Sequence, residues 1–132
     1  MKKAGILHKE LGACISGMGH YDRLALVSCL YGIPKDAATI DLALKRGIPK
    51  MIDVLQALQE EMIIEKVMIA KEMEMNHREL YRYILETFRP QIVEMVPNEK
   101  LKEEAVRTKA FVRTGENIVF SNIIIQAGFS SE

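Results

Sequence analysis

A histidine in a short glycine-bracketed turn, Gly17-Met18-Gly19-His20-Tyr21-Asp22, leads straight into the apolar run Leu24-Ala25-Leu26-Val27. A turn that feeds a buried strand can hold an imidazole at a pocket edge without burying it. Imidazole is the side chain whose unperturbed pKa lies near neutrality, which suits His20 to moving a proton in either direction. Asp22 either orients that imidazole or caps the turn. Near the other end of the chain, Arg113-Thr114-Gly115-Glu116 comes before Phe120-Ser121-Asn122, and the β-branched run Ile123-Ile124-Ile125 follows. The Arg113–Glu116 tetrad reads as a hairpin turn, or more sharply as a turn that sets the last strand against a pocket. The two regions together suggest a site built at strand ends.

Other chemistries find little support. The three histidines have no ligand spacing, and no carboxylate is placed to complete a metal set; His8 and His77 stand among charged residues and read as solvated. Gly17-Met18-Gly19 lacks the third glycine of a dinucleotide fingerprint and follows a helix rather than a strand. No Gly-x-Ser-x-Gly elbow occurs. Cys14 and Cys29 form no metal or redox spacing and read as two reduced, buried thiols. Lys100 and Lys102 fall on a charged helix whose default is a solvated face. With 18 Lys and Arg against 18 Asp and Glu, the formal net charge is +0. That leaves no basic excess for phosphate contacts, so nucleic acid is excluded as a partner, while self-association is permitted. The apolar stretch near the start is too short for a signal sequence, and no run approaches membrane-spanning length. Cytoplasmic location is the expectation.

At 132 residues, 48% hydrophobic and 27% charged, the chain fits one globular domain over 1–132. Residues 9–18 read as a helix with Leu11, Ile15 and Met18 on one face, ended by Gly17 and Gly19. Residues 23–29 are too apolar for a half-exposed strand and read as a buried one. A turn at Tyr31–Pro34 and a weaker strand over 39–44 follow. Pro49 opens a helix with the stripe Met51, Leu55, Leu58 and Met62. A strand over 63–70 precedes a helix capped by Asn76, with Leu80, Ile84 and Phe88 buried. A short strand at 91–96, a helix from Pro97 to about Arg107, and strands at 110–113 and 119–125 complete the pattern. Strands alternating with helices predict an α/β layered fold with a largely parallel sheet. The close spacing of the last two strands allows one antiparallel pairing.

The ordered set Lys3-x-Gly5-Ile6-Leu7, Met18-Gly19-His20-x-Asp22, Ile40-Asp41-Leu42-Ala43-Leu44-Lys45-x-Gly47-Ile48-Pro49, Asp53-Val54-Leu55, Arg113-Thr114-Gly115-Glu116 and Ser121-Asn122-Ile123-Ile124 resembles the D-ribose pyranase branch of the ribose pyranase/fucose mutarotase family. The likeness is collinear over essentially the whole chain. It implies a three-layer α/β/α fold and a homodecamer of two stacked pentameric rings with sugar sites at subunit clefts. It also implies an isomerase that exchanges the pyranose and furanose rings of a free monosaccharide, ribose above all, with no cofactor or metal.

By the same resemblance His20 is the general acid/base, Asn122 and Lys102 contact the sugar, and Ser28, Asn98, Phe120 and Ser121 complete the substrate-binding set. Three positions depart from the usual ribose branch: Ser28 replaces an aspartate, Asn98 a histidine and Phe120 a tyrosine. Cys29-Leu30-Tyr31-Gly32 stands where the branch carries Ala-Gly-Leu-Pro. Ser28 and Asn98 still hydrogen-bond but supply no carboxylate or imidazole, and Phe120 keeps a stacking face without the hydroxyl. A site built around a hydroxyl discriminates strongly once its partner group is lost, so the alternative is a sugar-binding or regulatory paralogue without turnover.

Overall fold

The computed structural model describes residues 1–130. Its strands are β1 (Arg23–Val27), β2 (Thr39–Asp41), β3 (Ile64–Ala70), β4 (Val93–Val96), β5 (Ala110–Arg113) and β6 (Ile123–Ala127); its helices are α1 (Lys9–Ser16), α2 (Met51–Glu61), α3 (Met73–Asn76), α4 (Arg78–Thr87) and α5 (Asn98–Ala105). The strands form one sheet in the order β2-β5-β1-β6-β3-β4. β1 with β5, β2 with β5 and β3 with β4 are parallel, whereas β6 runs antiparallel to both of its neighbours, β1 and β3. The sheet is therefore largely parallel. The one antiparallel strand is the last, but it pairs with β1 and β3 and never with β5, so the expected hairpin at residues 113–116 does not form.

Side chains alternate across a strand, and here the alternation sorts the core into two layers. Leu24, Leu26, Val67, Ile69, Val112, Ile123 and Ile125 face one side, where Leu11 of α1, Met51, Val54, Leu55 and Leu58 of α2, and Leu80 and Ile84 of α4 cover them. Ala25, Val27, Met68, Phe111 and Ile124 face the other, under Leu101 and Ala105 of α5 and the partly buried Tyr31, Ile33 and Ala37. Both faces of the sheet are covered, which is the three-layer α/β/α arrangement. Leu24, Leu26, Leu55, Leu58, Ile69, Ile84, Ile123 and Ile125 are 0% exposed, and each such burial contributes about 1.5–3 kcal/mol.

Local chemistry sets the element ends. His8 caps α1 by accepting a hydrogen bond from the Leu11 N–H on Nδ1 at 3.2 Å, so it is a capping residue rather than a solvated one. Pro49 lies before α2, not in its first turn, and the Asp53 carboxylate receives the Lys50 N–H at 3.0 Å. Asn76 closes the short α3 instead of capping α4, and the connecting residue is His77. The strand at 39–44 shrinks to three residues. Cys14 and Cys29 are free but only half-buried. No helix among the described residues is long and apolar enough to cross a membrane.

Candidate active site

The C-terminal end of β1 and the start of β6 lie side by side because the two strands are antiparallel. The chain leaves the sheet there and opens a cleft of about 200 Å³ lined by Ser28, Leu30, Tyr31, Gly32, Asn98, Lys102, Val119, Phe120 and Asn122. Carboxyl ends of strands are where open α/β sheets receive ligands. Ser28, 2% exposed, donates its N–H to Asn122 Oδ1 at 2.9 Å. That bond commits the Asn122 carbonyl and leaves its NH2 group as a donor toward the cleft. Ser28 Oγ accepts from the Leu30 N–H at 3.3 Å and keeps its own proton to donate.

Asn98 opens α5, with its N–H bound by the Glu72 carboxylate at 3.0 and 3.4 Å. Its Oδ1 is the one buried side-chain polar atom among the described residues without a hydrogen-bond partner. A buried acceptor without a donor is costly, and a ligand hydroxyl would relieve it. Lys102 stands one turn further along the same face, with no ion-pair partner among the described residues. Phe120 adopts φ +60°, the left-handed region, which costs of order 1 kcal/mol or more and persists only where surroundings enforce it.

Directly behind it lies a buried pair. Ser121 Oγ and His77 Nδ1 lie 2.7 Å apart, with the two residues 0% and 7% exposed. Ser121 therefore turns away from the cleft and pins the turn from behind. His77, expected in solvent, is buried: it sits at the α3–α4 junction and faces inward although its sequence neighbours are charged.

Tyr31 was not among the sequence candidates. It follows the apolar run of β1 and looked only like part of a turn, yet it lines the cleft with its ring centroid 5.8 Å from that of Phe111. Burial pushes its phenol above the ordinary value, so it remains a protonated donor.

The Arg113–Glu116 tetrad is a strap behind this end of the sheet, buried from Thr114 to Glu116 while Arg113 pairs with Asp41 at the surface. Thr114 Oγ1 donates to the Val27 carbonyl at 2.9 Å, and Glu116 Oε1 accepts the Met51 N–H at the start of α2 at 3.2 Å. A carboxylate there complements the helix dipole. Gly115 is required by close approach, since a Cβ would stand 2.4 Å from the Ile48 carbonyl oxygen.

His20 lies at the opposite end of the strands, just before β1. The five residues of that strand at about 3.3 Å each put some 17 Å of sheet between His20 and the cleft. One chain therefore does not bring His20 together with Ser28, Asn98, Lys102, Phe120 and Asn122. Its Nε2 is 2.8 Å from Glu65 Oε1, and Gln126 Nε2 donates to Glu65 Oε2 at 2.7 Å. The Gln126 hydrogen bond, and then His20, hold the Glu65 carboxyl below its ordinary value. Tyr21 stacks on the imidazole at a centroid distance of 3.7 Å, and Phe129 tilts against it at 4.7 Å. Asp22 does not orient the ring; it accepts the Gly19 N–H at 2.8 Å and lies 3.5 Å from Lys109, closing the turn.

No cluster of three or more His, Cys, Asp or Glu that could hold a metal ion occurs among the described residues. A small cleft rich in hydroxyl-matching donors and acceptors, at the strand ends of a three-layer α/β sheet, defines a small-polar-ligand protein. The chain belongs to the RbsD / FucU transport protein family, whose model matches residues 1–130. It is 40% identical over 129 residues to a D-ribose pyranase of Kosmotoga olearia, covering 97% of this chain and 98% of that one. It is 41% identical over 128 residues to a D-ribose pyranase of Bacillus cytotoxicus, with the same coverage. Among solved structures it matches Bacillus subtilis RbsD complexed with D-ribose, with a TM-score of 0.92 and 35% identity over 98% of this chain and 99% of that one. A fucose mutarotase from Streptococcus pneumoniae in complex with L-fucose shares the fold, with a TM-score of 0.81 at 19% identity.

Proposed function

We propose that this chain is a D-ribose pyranase-type isomerase that exchanges the pyranose and furanose rings of free ribose, with His20 as the proton-transfer group. The observation that carries the reading is the cleft itself. The Asn122 amide, the Ser28 hydroxyl, the Lys102 ammonium and the unpartnered Asn98 Oδ1 converge on a monosaccharide-sized space, in a chain about 40% identical to D-ribose pyranases along its length.

Ring exchange breaks one C–O bond and forms another, with proton transfers and no change of oxidation state. A proton goes to the ring oxygen while the anomeric hydroxyl loses one, the ring C–O bond breaks, and the open aldehyde forms. A different hydroxyl then attacks the carbonyl, loses its proton, and the carbonyl oxygen regains one. A group that can both give and take a proton near neutral pH serves each step, and such catalysis is worth about 10²–10⁴-fold. No cofactor is needed for this chemistry.

Since His20 and the cleft lie at opposite ends of the same strands, the complete site takes its imidazole from a neighbouring copy. Two complementary ends on one chain make a head-to-tail contact, the kind that closes into rings. Exposed apolar groups stand at both: Tyr21 (68%) and Phe129 (65%) beside His20, Leu30 (48%) and Val119 (49%) beside the cleft. This supports the pentameric rings, stacked as a decamer, that the resemblance to the family implies. A cytoplasmic location is part of the same proposal, and two cysteines without metal or redox spacing suit a reducing compartment.

The test is proton NMR saturation transfer between ribose ring forms at equilibrium, with wild type and H20A. Acceleration by wild type alone is the expected result. Saturable ribose binding without acceleration would establish the sugar-binding paralogue instead.

A further inference from the structure

We infer that Glu65 is a positioning residue for His20: it holds the proton on Nε2 and so assigns Nδ1 as the atom that exchanges protons with the sugar. The inference deepens the proposed role of His20 and rests on it.

Glu65 lies in β3, at the point where the pairing with β6 shifts register: Ile64 is opposite Ala127, and Lys66 opposite Gln126. Glu65 is thus the extra residue of a β-bulge, a device that re-aims a side chain and is over-represented beside active sites. The bulge delivers its carboxylate to His20 Nε2 at 2.8 Å. Gly128 leaves the room: a Cβ there would stand 3.1 Å from the Glu65 Cβ and 3.4 Å from Oε1. The second carboxylate oxygen is anchored by Gln126 at 2.7 Å.

An ionised carboxylate only accepts hydrogen bonds, and Glu65 is held below its ordinary pKa by those two partners. Nε2 must therefore be the donor. That is true of the neutral ring and of the imidazolium alike. The proton on Nε2 stays put through the cycle, and the one gained or lost is on Nδ1, which has no hydrogen-bond partner among the described residues. Tyr21 stacks flat on the ring, 19° from parallel, from a left-handed backbone at φ +77°. Strain of this kind is retained where the surroundings over-determine the residue. Plane, tilt and tautomer of the imidazole are all set before substrate arrives.

The experiment compares wild type, H20A, E65L and E65Q as assembled full chains, with two readouts. ¹⁵N NMR of histidine-labelled protein reads the His20 tautomer, its signals assigned by their loss in H20A. Saturation transfer reads the exchange rate and the ribose concentration at half-maximal rate. In wild type Nε2 carries the proton. E65L lets the tautomers mix and lowers the rate about 10–100-fold, within the range set by acid/base catalysis itself, with half-saturation unchanged. E65Q, whose carbonyl still accepts from Nε2, restores the tautomer and part of the rate. Should E65L fail to assemble, Q126L replaces it and gives a smaller loss in the same direction. Wild-type rates in E65L, or in both E65Q and Q126L, beside an inactive H20A would overturn the positioning role alone. So would a proton on Nδ1 of the neutral ring in wild type. Full activity of H20A would overturn the acid/base role of His20 and the positioning with it.

Discussion

Two asparagines line the cleft, and the proposed function gives them different shares of holding a ligand and holding the fold. Asn122 does both, because its carbonyl binds the Ser28 N–H while its NH2 faces the cleft. Asn122→Asp keeps the acceptor and removes the donor. The expected outcome is a fold of near wild-type thermal stability and roughly tenfold weaker ribose half-saturation, the equivalent of one hydrogen bond at about 1–1.5 kcal/mol, checked by thermal unfolding and saturation transfer. Asn98 does only the first job, since its Oδ1 is buried without a partner. Asn98→Ala removes an unsatisfied acceptor, so the ligand-free protein is expected to hold its melting temperature or gain up to about 1 kcal/mol while ribose affinity falls. A loss of stability together with unchanged affinity would show that Oδ1 is not a ligand acceptor. These positions were legible in the sequence through collinear motifs and residue chemistry. Tyr31 and Glu65 were not. Glu65 meets His20 across 45 positions through a bulge, and bulges leave no mark in a period-two pattern.

The elements came out of the sequence more readily than their partners did. Apolar periodicity located α1, α2 and α4, which each bury one face, and apolar runs located the strands, although the last begins at Ile123 and not at Val119, where the chain is still in the turn. Neither could say that β6 enters between β1 and β3, since isoleucine-rich runs suit any central strand. That insertion turns the Arg113–Glu116 tetrad from an expected hairpin into a strap, and it carries Ser121 onto His77. The His77–Ser121 pair is the clamp on the turn that bears Phe120 and Asn122. His77→Leu leaves the buried Ser121 hydroxyl only its long 3.4 Å bond to the Val119 carbonyl and is expected to destabilise the fold by about 1–3 kcal/mol; chemical denaturation of H77L, S121A and the double variant would show coupling if the pair acts as one unit. A further tie joins β1 to α5, where Arg23 meets Glu104 at 3.0 Å. The Arg23 hydrogen bond is the leading cause that lowers the Glu104 pKa from 4.5. A depressed carboxyl stabilises the fold above its unfolded value, and that contribution is lost as pH falls through the folded value. Glu104→Gln is therefore expected to flatten the acid side of the stability curve below about pH 4.5 and to leave the neutral side nearly parallel to wild type, read by urea midpoints across pH.

At the scale of the molecule, one sheet separates His20 from the cleft, and the proposed function needs an assembly to bring the two together. The strand that delivers Ser28 to the cleft begins beside His20, so no side-chain rotation within one chain closes a gap of about 17 Å. A head-to-tail neighbour closes it, and makes a prediction that a self-contained site does not. H20A chains carry an intact cleft; chains with Asn122→Ala carry an intact imidazole and a damaged cleft. Each alone assembles without a complete site. Mixed, unfolded and refolded together in equal amounts, they place a sound cleft against a sound imidazole at about a quarter of the contacts of a head-to-tail ring. Saturation transfer should then recover about that fraction of the wild-type rate, rising with the mixing ratio to a maximum at equal amounts. Refolding the two variants separately and combining them afterwards should recover nothing while the rings stay closed. Absence of recovery in the co-refolded mixture, with both variants shown to assemble, would place His20 and the cleft of the same chain in one site and reject the shared arrangement.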